Sequence, residues 1–508
     1  MFESQDTTPW YRSRSTMIGA SVCFAALALA LFYHFYGYRY FSDREEHYAE
    51  LERHRAQQAA QAGSVSSPAT APADQTAAPN QNAPAAPEAA AAQGAAATAP
   101  ASGAGTTAAN VQDANHPVAA SSARNYWTNF RGPNRDGHYE ERAVKVNWPA
   151  GGLKPMWKQP VGGGFSSFVV ADGAAYTIEQ RRNQEVVAAY NVETGRELWT
   201  HGWNAEFSPD DTGDGPRSTP TWDAGRLYAL GAEGELRALD AKTSKLIWQK
   251  NILSDNGASN IQWGVAASPL IVDDKVVVMA GGTSGKGVVA YNKLTGARVW
   301  SSMNDRASYT SPMLVTLAGK RQILVVTASH IAGLEPADGA VLWTHPWDVS
   351  YGINVSQPLV VGANRFLISA GYGKGAALVE LSGSGKTFTT KAVWENISLK
   401  TKFNSPVVAN GHAYGLDEGI LTCVDLATGE RKWKGGRYGY GQVLLASNHL
   451  IVTTDAGDIV LVKADPSAYT EVARFNALSG KTWNVPALAN GRLLVRNGNE
   501  MAAYNLAE

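Results

Sequence analysis

Cysteine is nearly absent from this chain, and its scarcity limits how the chain can be organised. The 508 residues include two cysteines, Cys23 and Cys423. Two cysteines so far apart cannot provide the disulfide framework of a small secreted fold. Cys423 lies in an apolar strand pattern, and we interpret it as a small core residue. The ten histidines also fall far apart, without Cys, Asp or Glu at metal-ligand spacing, so no metal site is predicted.

Net charge and catalytic motifs are the next features that the sequence lacks. The formal charge is -1 at pH 7, which gives no reason to expect binding to nucleic acid or to a strongly acidic partner. No serine elbow or Ser/His/Asp set is recognisable. Ser384–Thr387 resembles the end of a phosphate loop, but Glu380 stands where glycine is required. Asp210–Gly215 resembles the start of a calcium loop that lacks its final Glu. We interpret both segments as turns.

Charge is also missing from a long stretch near the N-terminus. Residues 15–38 contain no Lys, Arg, Asp or Glu, and 24 residues suffice to cross a bilayer of about 30 Å as a helix. Aromatic side chains cluster at the end of this run, as they do at membrane interfaces. The pattern predicts a transmembrane signal anchor after a polar segment, residues 1–14. A cleaved signal peptide is disfavoured because the run is long and its end is aromatic rather than small.

Two polar segments follow the predicted span. Residues 39–61 predict a polar, solvated juxtamembrane helix, in which Ser42–Glu45 fits a capping box. Residues 62–122 consist mainly of Ala, Pro, Gln, Thr, Ser and Gly. Such a composition buries too little apolar surface to fold, so we predict a disordered, semi-extended linker. The domain at 123–508 is then expected to hang at a variable distance from the membrane.

One short phrase recurs through the rest of the chain. Its clearest copy runs from Val187 to Trp199 and predicts two strands joined by a Thr194-Gly195 turn. A large residue ends each copy, and we expect it to pack against a neighbouring unit. Seven copies end in tryptophan, namely Trp157, Trp199, Trp248, Trp300, Trp343, Trp394 and Trp433. An eighth copy has Phe475 in the same position.

A repeat of roughly 40 to 50 residues that is rich in strands predicts a β-propeller. Eight copies indicate an all-β fold with eight four-stranded antiparallel blades. The chain ends with Met501–Leu506, which matches only the first half of the phrase. The second half occurs separately as Leu153–Trp157. We therefore predict that the two ends of the domain share one blade, which would remove the open sheet edge.

The phrase, with its Ala-x-Asp-x-x-Thr-Gly-x-x-x-Trp core, resembles the quinoprotein-type, or PQQ-like, repeat. The resemblance covers roughly Tyr126 to Glu508. Phe130–Gly137 and Gly215–Pro220 are similar to segments of PQQ-like propellers from bacterial envelopes. The repeat is shared by pyrroloquinoline quinone dehydrogenases and by non-catalytic propellers such as the lipoprotein of the outer-membrane β-barrel assembly machinery. The resemblance therefore implies the fold, and it leaves the function open.

Two functions are compatible with this resemblance. A quinoprotein dehydrogenase needs a quinone between flat groups, a calcium ion held by carboxylate and amide, and a catalytic Asp. The membrane-bound and methanol-type enzymes commonly add a vicinal cysteine pair, which this chain cannot form. No such residue set can be transferred to this sequence. We therefore favour a non-catalytic binding scaffold with a protein partner and no cofactor, and keep a dehydrogenase with PQQ and calcium as the alternative.

The membrane orientation is also open. Two basic residues precede the predicted span and four follow it, namely Arg39, Arg44, Arg53 and Arg55. This count alone would place the propeller in the cytoplasm, but long domains cross the membrane largely regardless of such charges. The family resemblance implies the envelope. We therefore expect a single-pass inner-membrane protein with its propeller in the periplasm.

A second phrase precedes the innermost strand of each predicted blade, for example Ser218-Thr219-Pro220 and Asn404-Ser405-Pro406. The residues just before these phrases should converge from seven blades on one mouth of the central channel. They are mostly aromatic or cationic and include no carboxylate: Arg217, Trp263, Tyr309, Asn354, Lys402, Phe403, Tyr440, Lys481 and Trp483. Such a set suits a planar anionic ligand or a peptide carboxylate. The alternative is that these side chains simply fill the channel.

Overall fold

The computed structural model describes residues 43–61, 127–209, 213–385 and 387–508. The predicted membrane span at 15–38 and the predicted linker at 62–122 lie outside these ranges. Within them, no helix is long and apolar enough to cross a membrane.

The described residues form eight β-sheets, arranged as the blades of a propeller. Two strands precede the first complete blade, β1 (His138–Tyr139) and β2 (Pro155–Pro160). Blades 1 and 2 contain β3 (Val169–Ala171), β4 (Ala174–Arg181), β5 (Gln184–Asn191), β6 (Glu197–Asn204), β7 (Thr221–Asp223), β8 (Arg226–Leu230), β9 (Glu235–Asp240) and β10 (Leu246–Asn251). Blades 3 and 4 contain β11 (Leu270–Val272), β12 (Lys275–Gly282), β13 (Lys286–Asn292), β14 (Arg298–Ser302), β15 (Met313–Leu317), β16 (Lys320–Val326), β17 (His330–Leu334) and β18 (Val341–Pro346).

The second half of the ring follows the same order, from the channel outward. Blades 5 and 6 contain β19 (Leu359–Val361), β20 (Arg365–Ala370), β21 (Gly375–Ser384), β22 (Thr387–Asn396), β23 (Val407–Ala409), β24 (His412–Asp417), β25 (Ile420–Asp425) and β26 (Arg431–Arg437). Blades 7 and 8 contain β27 (Gln442–Ala446), β28 (His449–Thr453), β29 (Asp458–Lys463), β30 (Glu471–Asn476), β31 (Ala487–Ala489), β32 (Arg492–Arg496) and β33 (Glu500–Asn505), and β2 completes blade 8. Short 3-10 turns occur at Ser254–Asn256 and Ser350–Gly352.

The predicted closure of the ring is confirmed. Strand β2 pairs antiparallel with β33, with Trp157 opposite Ala503 and Gln159 opposite Met501. The two ends of the domain thus complete one four-stranded sheet. Blade 7 differs from the expectation because β1 adds a fifth strand, which pairs parallel with β27 at Leu445 and Ala446.

The core lies in the layers between successive blades. Along β12, Val276 and Val278 pack against blade 2, whereas Val277 and Met279 pack against blade 4. Side chains alternate across a strand, so a middle strand that is covered on both faces is apolar at every position. This explains the continuous apolar runs in the repeat.

The repeated tryptophans join neighbouring blades. The indole of Trp248 lies over Gly296 in blade 3, and its Nε1 donates a hydrogen bond to the carbonyl of Lys293 at 3.0 Å. Gly296 has φ +71°, and a Cβ there would lie 2.9 Å from the ring, so the turn needs glycine. Equivalent bonds of 2.8–3.2 Å are made to the next blade by Trp157, Trp199, Trp300, Trp394 and Trp433. Trp343 instead donates to Gln322 within its own blade, at 2.6 Å.

Residues 43–61 form a helix, α1, which packs against the propeller rather than standing in solvent as the sequence had suggested. Tyr48 and Leu51 are each only 3% exposed. The helix packs there because its side chains bind residues of the propeller that lie far away in sequence. Arg55 forms a two-pronged ion pair with Glu197 at 2.7 and 3.0 Å, and Arg182 of the propeller binds Glu52 at 2.9 Å.

The N-terminal half of α1 lies on the face that carries the channel mouth. His47 Nε2 donates to the carbonyl of Val161 at 2.8 Å. Arg44 pairs with Asp214 at 3.2 Å and with Glu206. Val161, Glu206 and Asp214 all lie in connections that lead from one blade to the next on this face. The propeller is therefore fixed to residues 43–61, the helix that follows the predicted span, while the span itself lies outside the described residues.

Candidate functional site

A belt of side-chain hydrogen bonds surrounds the channel just below the mouth. The amide of Thr219 donates to the Oγ of Ser268, and the amide of Ser268 donates to the Oγ of Ser311, at 2.9 and 2.8 Å. The amide of Ser311 donates to Gln357 Oε1, and the amide of Gln357 donates to Ser405 Oγ. The side-chain oxygen of the residue before the proline, a hydroxyl in three cases and the Gln357 amide in the fourth, thus joins one blade to the previous blade. These residues are buried, so the loss of any of these hydrogen bonds would leave an unsatisfied polar group at a cost in the free energy of folding. The belt therefore holds the blades in register.

Gln442 supports the mouth from below. Its Nε2 donates to the carbonyls of Phe403 and Trp483, at 2.8 and 2.9 Å. These two residues belong to loops on either side of blade 7. Gln442 therefore fixes the backbone that carries two of the predicted mouth residues.

Three aromatic rings form the centre of the mouth. Phe403 and Trp483 stack with their centroids 5.2 Å apart and their planes 18° apart. Tyr440 contacts both edge-on, at 5.0 and 5.4 Å. The three residues are partly exposed. Three loops that are remote in sequence thus build one aromatic surface, which we call the collar core.

Two lysines lie over these rings. Lys402 Nζ is 5.2 Å from the ring centre of Tyr440 and 5.3 Å from that of Phe403. Lys481 Nζ is 4.0 Å from the ring centre of Trp483. All three distances lie within the range in which a cation is attracted to an aromatic face. The lysines and the collar core together form the collar.

Arg217 joins the collar through Phe165, a residue that the sequence analysis did not include. The Arg217 guanidinium is 5.1 Å from the Phe165 ring and 4.8 Å from the Phe207 ring, and Lys481 is 5.6 Å from Phe165. Arg217 also donates to the carbonyl of Gly213 at 2.7 Å. Burial lowers the pKa of Arg217 to about 10, and Asp214 and Glu185 oppose this shift. The arginine remains protonated near neutral pH.

The other predicted mouth residues do not all join the collar. Trp263 and Tyr309 form a separate pair with ring centres 5.6 Å apart. Asn354 is 2% exposed and donates to the carbonyl of Thr327 at 3.0 Å, so it braces a loop from below. Asn354 therefore lies beneath the mouth and does not line it. The Asn354 side chain is short, and it stays buried because its amide can donate hydrogen bonds to nearby carbonyls.

Two residues near the mouth could have been recognised from the sequence. Phe165 precedes Ser166-Ser167, which is the second phrase without its proline. Tyr372 lies in the β20–β21 turn, and its ring is 4.8 Å from Lys402 Nζ. Turns between the second and third strands of a blade lie on the same face as the starts of the innermost strands. Burial raises the pKa of Tyr372 to about 12, so its hydroxyl is neutral.

One buried carboxyl lies close behind the mouth. Glu185 is completely buried and accepts a hydrogen bond from the amide of Ala232 at 2.8 Å. Burial raises the pKa of Glu185 to about 7, and the nearby Glu233 adds to the shift. This carboxyl can change its charge near neutral pH.

The opposite end of the channel is filled by the segment after residue 127. Arg135 is 2% exposed and donates to the carbonyls of Ser268 and Pro312, at 3.1 and 3.0 Å. Arg131 is completely buried and donates to the carbonyl of Pro406 at 2.9 Å. We call Trp127–Tyr139 the plug. Its arginines bind blades 2, 3, 4, 6 and 7 at once, so the plug stabilises the ring and closes this end.

Comparison with known proteins places this architecture in a family. The family model described as outer membrane protein assembly factor BamB matches residues 182–435, half of the chain. The chain belongs to this family of PQQ-like β-propellers. Membership in a family of PQQ-like propellers agrees with the resemblance seen in the repeat phrase.

Several relatives of this PQQ-like propeller share part of its sequence. BamB of Yersinia pestis is 24% identical over 296 residues, which is 54% of this chain and 70% of that protein. BamB of Bordetella pertussis is 22% identical over 382 residues, which is 72% of this chain and 89% of that protein. The quinohemoprotein alcohol dehydrogenase ADH-IIG of Pseudomonas putida is 29% identical over 140 residues, which is 26% of this chain and 18% of that enzyme. Among solved structures, BamB from Moraxella catarrhalis aligns with a TM-score of 0.49 at 17% identity, over 70% of this chain and 99% of that one.

Proposed function

We propose that this PQQ-like propeller is a non-catalytic binding scaffold of the bacterial cell envelope. In this proposal residues 15–38 hold it in the inner membrane and the propeller lies in the periplasm. The BamB relatives, which match most of the propeller, support a scaffold with a protein partner. The docking of α1 supports a fixed, rather than a loose, connection to the segment that precedes it.

The observation that carries the binding function is the collar. Three cations, Arg217, Lys402 and Lys481, lie over aromatic rings at one mouth of the channel. No carboxylate belongs to the predicted mouth set, and the opposite end of the channel is closed by the plug. An anionic group that carries an apolar or planar body would meet ammonium groups at its head and aromatic faces along its side. We therefore propose that the collar binds such a group.

A quinone does not fit between the rings of the collar. A planar cofactor sandwiched between two side chains needs roughly 7 Å, because each layer of carbon contacts takes about 3.5 Å. Phe403 and Trp483 are already 5.2 Å apart and nearly parallel. In the described residues there is also no group of three His, Cys, Asp or Glu side chains that could hold a metal ion. This geometry supports the scaffold over the dehydrogenase that ADH-IIG would suggest.

The choice between scaffold and dehydrogenase can be tested on the purified full-length protein. We expect that adding pyrroloquinoline quinone and calcium gives no dye-linked oxidation of alcohols or sugars. Turnover with the quinone, together with the spectrum of a bound quinone, would refute the proposal and establish the dehydrogenase.

The binding role of the collar needs a separate experiment. The protein would be titrated with inorganic phosphate and with a peptide that has a free carboxylate, and its tryptophan fluorescence would be followed. We expect a saturable response that the Lys402→Ala/Lys481→Ala variant loses. Leu294→Ala is the matched control, because Leu294 is exposed in a turn on the opposite face. An identical response from the parent and the lysine variant would exclude the collar as the site.

A further inference from the structure

Two side chains are more exposed than any other large apolar residue of the described chain. Tyr351 is 85% exposed and Ile397 is 68% exposed, whereas the next, Leu294, is 49% exposed. Single apolar residues on a surface are common, but a protruding pair on one face often marks a contact surface.

Both residues lie on the mouth face, on either side of blade 5. Tyr351 belongs to the connection between β18 and β19, and Ile397 belongs to the connection between β22 and β23. Each connection runs from the outermost strand of one blade to the innermost strand of the next blade. The loops that carry the collar core run in the same way. Tyr351 has φ +64°, in the left-handed region that a bulky side chain rarely adopts. The loop thus holds this ring outward despite the backbone cost.

The charges around this pair are compatible with an anionic surface. Lys402 of the collar follows Ile397 by five residues. The nearby carboxylates Glu395 and Glu418 are paired with lysines, at 2.8 and 3.2 Å. Asp348 is an exposed carboxylate in the Tyr351 loop, and the exposed Arg306 lies near the same loop at Gly352. Lys402 thus places a positive charge in the same β22–β23 connection as Ile397.

The start of α1 lies on the same face, across the ring from blade 5. Its N-terminal half contacts Val161 and Asp214 in the connections that leave blades 8 and 1, and Arg182 in the β4–β5 turn of blade 1. In a ring of eight, blade 5 lies opposite blade 1. The described helix begins at Asp43, five residues after the end of the predicted span at Tyr38. The chain therefore reaches the mouth face from a segment expected to lie in the membrane.

We propose that the mouth face rests on the surface of a membrane that contains acidic phospholipid. Tyr351 and Ile397 enter the headgroup region, where Tyr is favoured and an aliphatic side chain buries apolar area. Lys402 and Lys481 attract the anionic headgroups. This inference rests on the proposed tether and names the anionic group of the collar as a lipid headgroup. A protein partner then has the outer wall and the opposite face on which to dock.

The contact can be measured with the full-length protein in vesicles. In a Cys23→Ser background, single Tyr351→Cys, Ile397→Cys and Leu294→Cys variants would be labelled with a polarity-sensitive fluorophore. Cys423 is completely buried and therefore protected from the label. The vesicles contain phosphatidylcholine alone or with phosphatidylglycerol, and their acyl chains are brominated to quench a fluorophore that inserts.

We expect labels at 351 and 397 to shift to shorter wavelength and to be quenched in the acidic vesicles, while the label at 294 does neither. Adding Lys402→Ala and Lys481→Ala should reduce the shift at 351. Equal signals from 351 and 294 would overturn the proposal. An equal response in phosphatidylcholine would overturn the role of acidic headgroups. A shift that needs added envelope protein would show that the face binds protein instead. None of these readouts depends on catalysis, so a dehydrogenase result would refute the proposed function separately.

Discussion

The two ends of the channel use the same kind of charge in different ways. At the plug, Arg131 and Arg135 are buried, and backbone carbonyls accept their hydrogen bonds. At the mouth, Lys402 and Lys481 remain partly exposed and lie over aromatic rings. A guanidinium has five donors in a fixed plane and can join several strands, whereas an ammonium on a flexible stem is a mobile point charge. The plug is therefore suited to stability and the collar to binding.

The largest effect is expected at the plug. Arg135→Met would leave the buried carbonyls of Ser268 and Pro312 without their donor, so we expect a loss of roughly 3–5 kcal/mol in the free energy of unfolding. Lys402→Met at the mouth should cost less than about 1 kcal/mol. Urea denaturation of both variants tests the contrast. Equal losses would show that the two ends do not differ in this way.

The free energy of unfolding should depend on pH through Glu185, which lies behind the mouth. Burial raises the pKa of Glu185 to about 7, so its contribution to stability is complete below the unfolded value near 4.5 and is lost as the pH rises through 7. Between those limits we expect the parent to lose roughly 3 kcal/mol from this group. Glu185→Gln keeps an acceptor for the amide of Ala232 and should remove this loss. Unfolding curves at pH 5 and pH 8 that respond identically in parent and variant would contradict the assignment.

Gln442 provides a test of how the mouth depends on the side chain that supports it from below. Gln442→Leu leaves the carbonyls of Phe403 and Trp483 without their shared donor, so we expect a loss of roughly 2 kcal/mol. The stacking of the two rings should also weaken, which near-ultraviolet circular dichroism detects. The Lys402→Met variant is the control, since it alters the collar and leaves the hydrogen bonds of Gln442 in place. An unchanged aromatic signal would mean that the contacts among the three rings position them without Gln442.

The smallest effect concerns α1. Its partly exposed ion pairs, such as Arg55 with Glu197, should each contribute less than about 1 kcal/mol and weaken with salt. Hydrogen exchange of residues 43–61 should therefore become faster in high salt, while exchange of the plug should not. Arg55→Ala should mimic the effect of salt on the helix. Salt-independent protection of α1 would show that Tyr48 and Leu51 hold it without the charges.

Much of the fold could be predicted because the repeat encodes local structure. The Thr-Gly turn, the alternation of apolar residues and the terminal tryptophan each act within a few residues, and eight copies make the pattern clear. The site was predictable only in part. Phe403, Tyr440 and Trp483 do meet, because equivalent positions of a ring converge on one mouth. Asn354 does not line the mouth, because its amide donates to the carbonyl of Thr327 in the β16–β17 turn.

The sequence by itself determined the eight blades, their turns and the shared closing blade. These features follow from residues that are close in the chain, or from two halves of one phrase that can only complete each other. The tertiary structure decided that α1 packs on the propeller, that the plug fills one end, and that cations pair with rings at the other. The first two depend on partners more than a hundred residues away, such as Arg135 with Pro312 or Arg55 with Glu197, and the third depends on loops from different blades. Only the closed ring brings such groups into contact, and no local pattern in the sequence predicts these contacts.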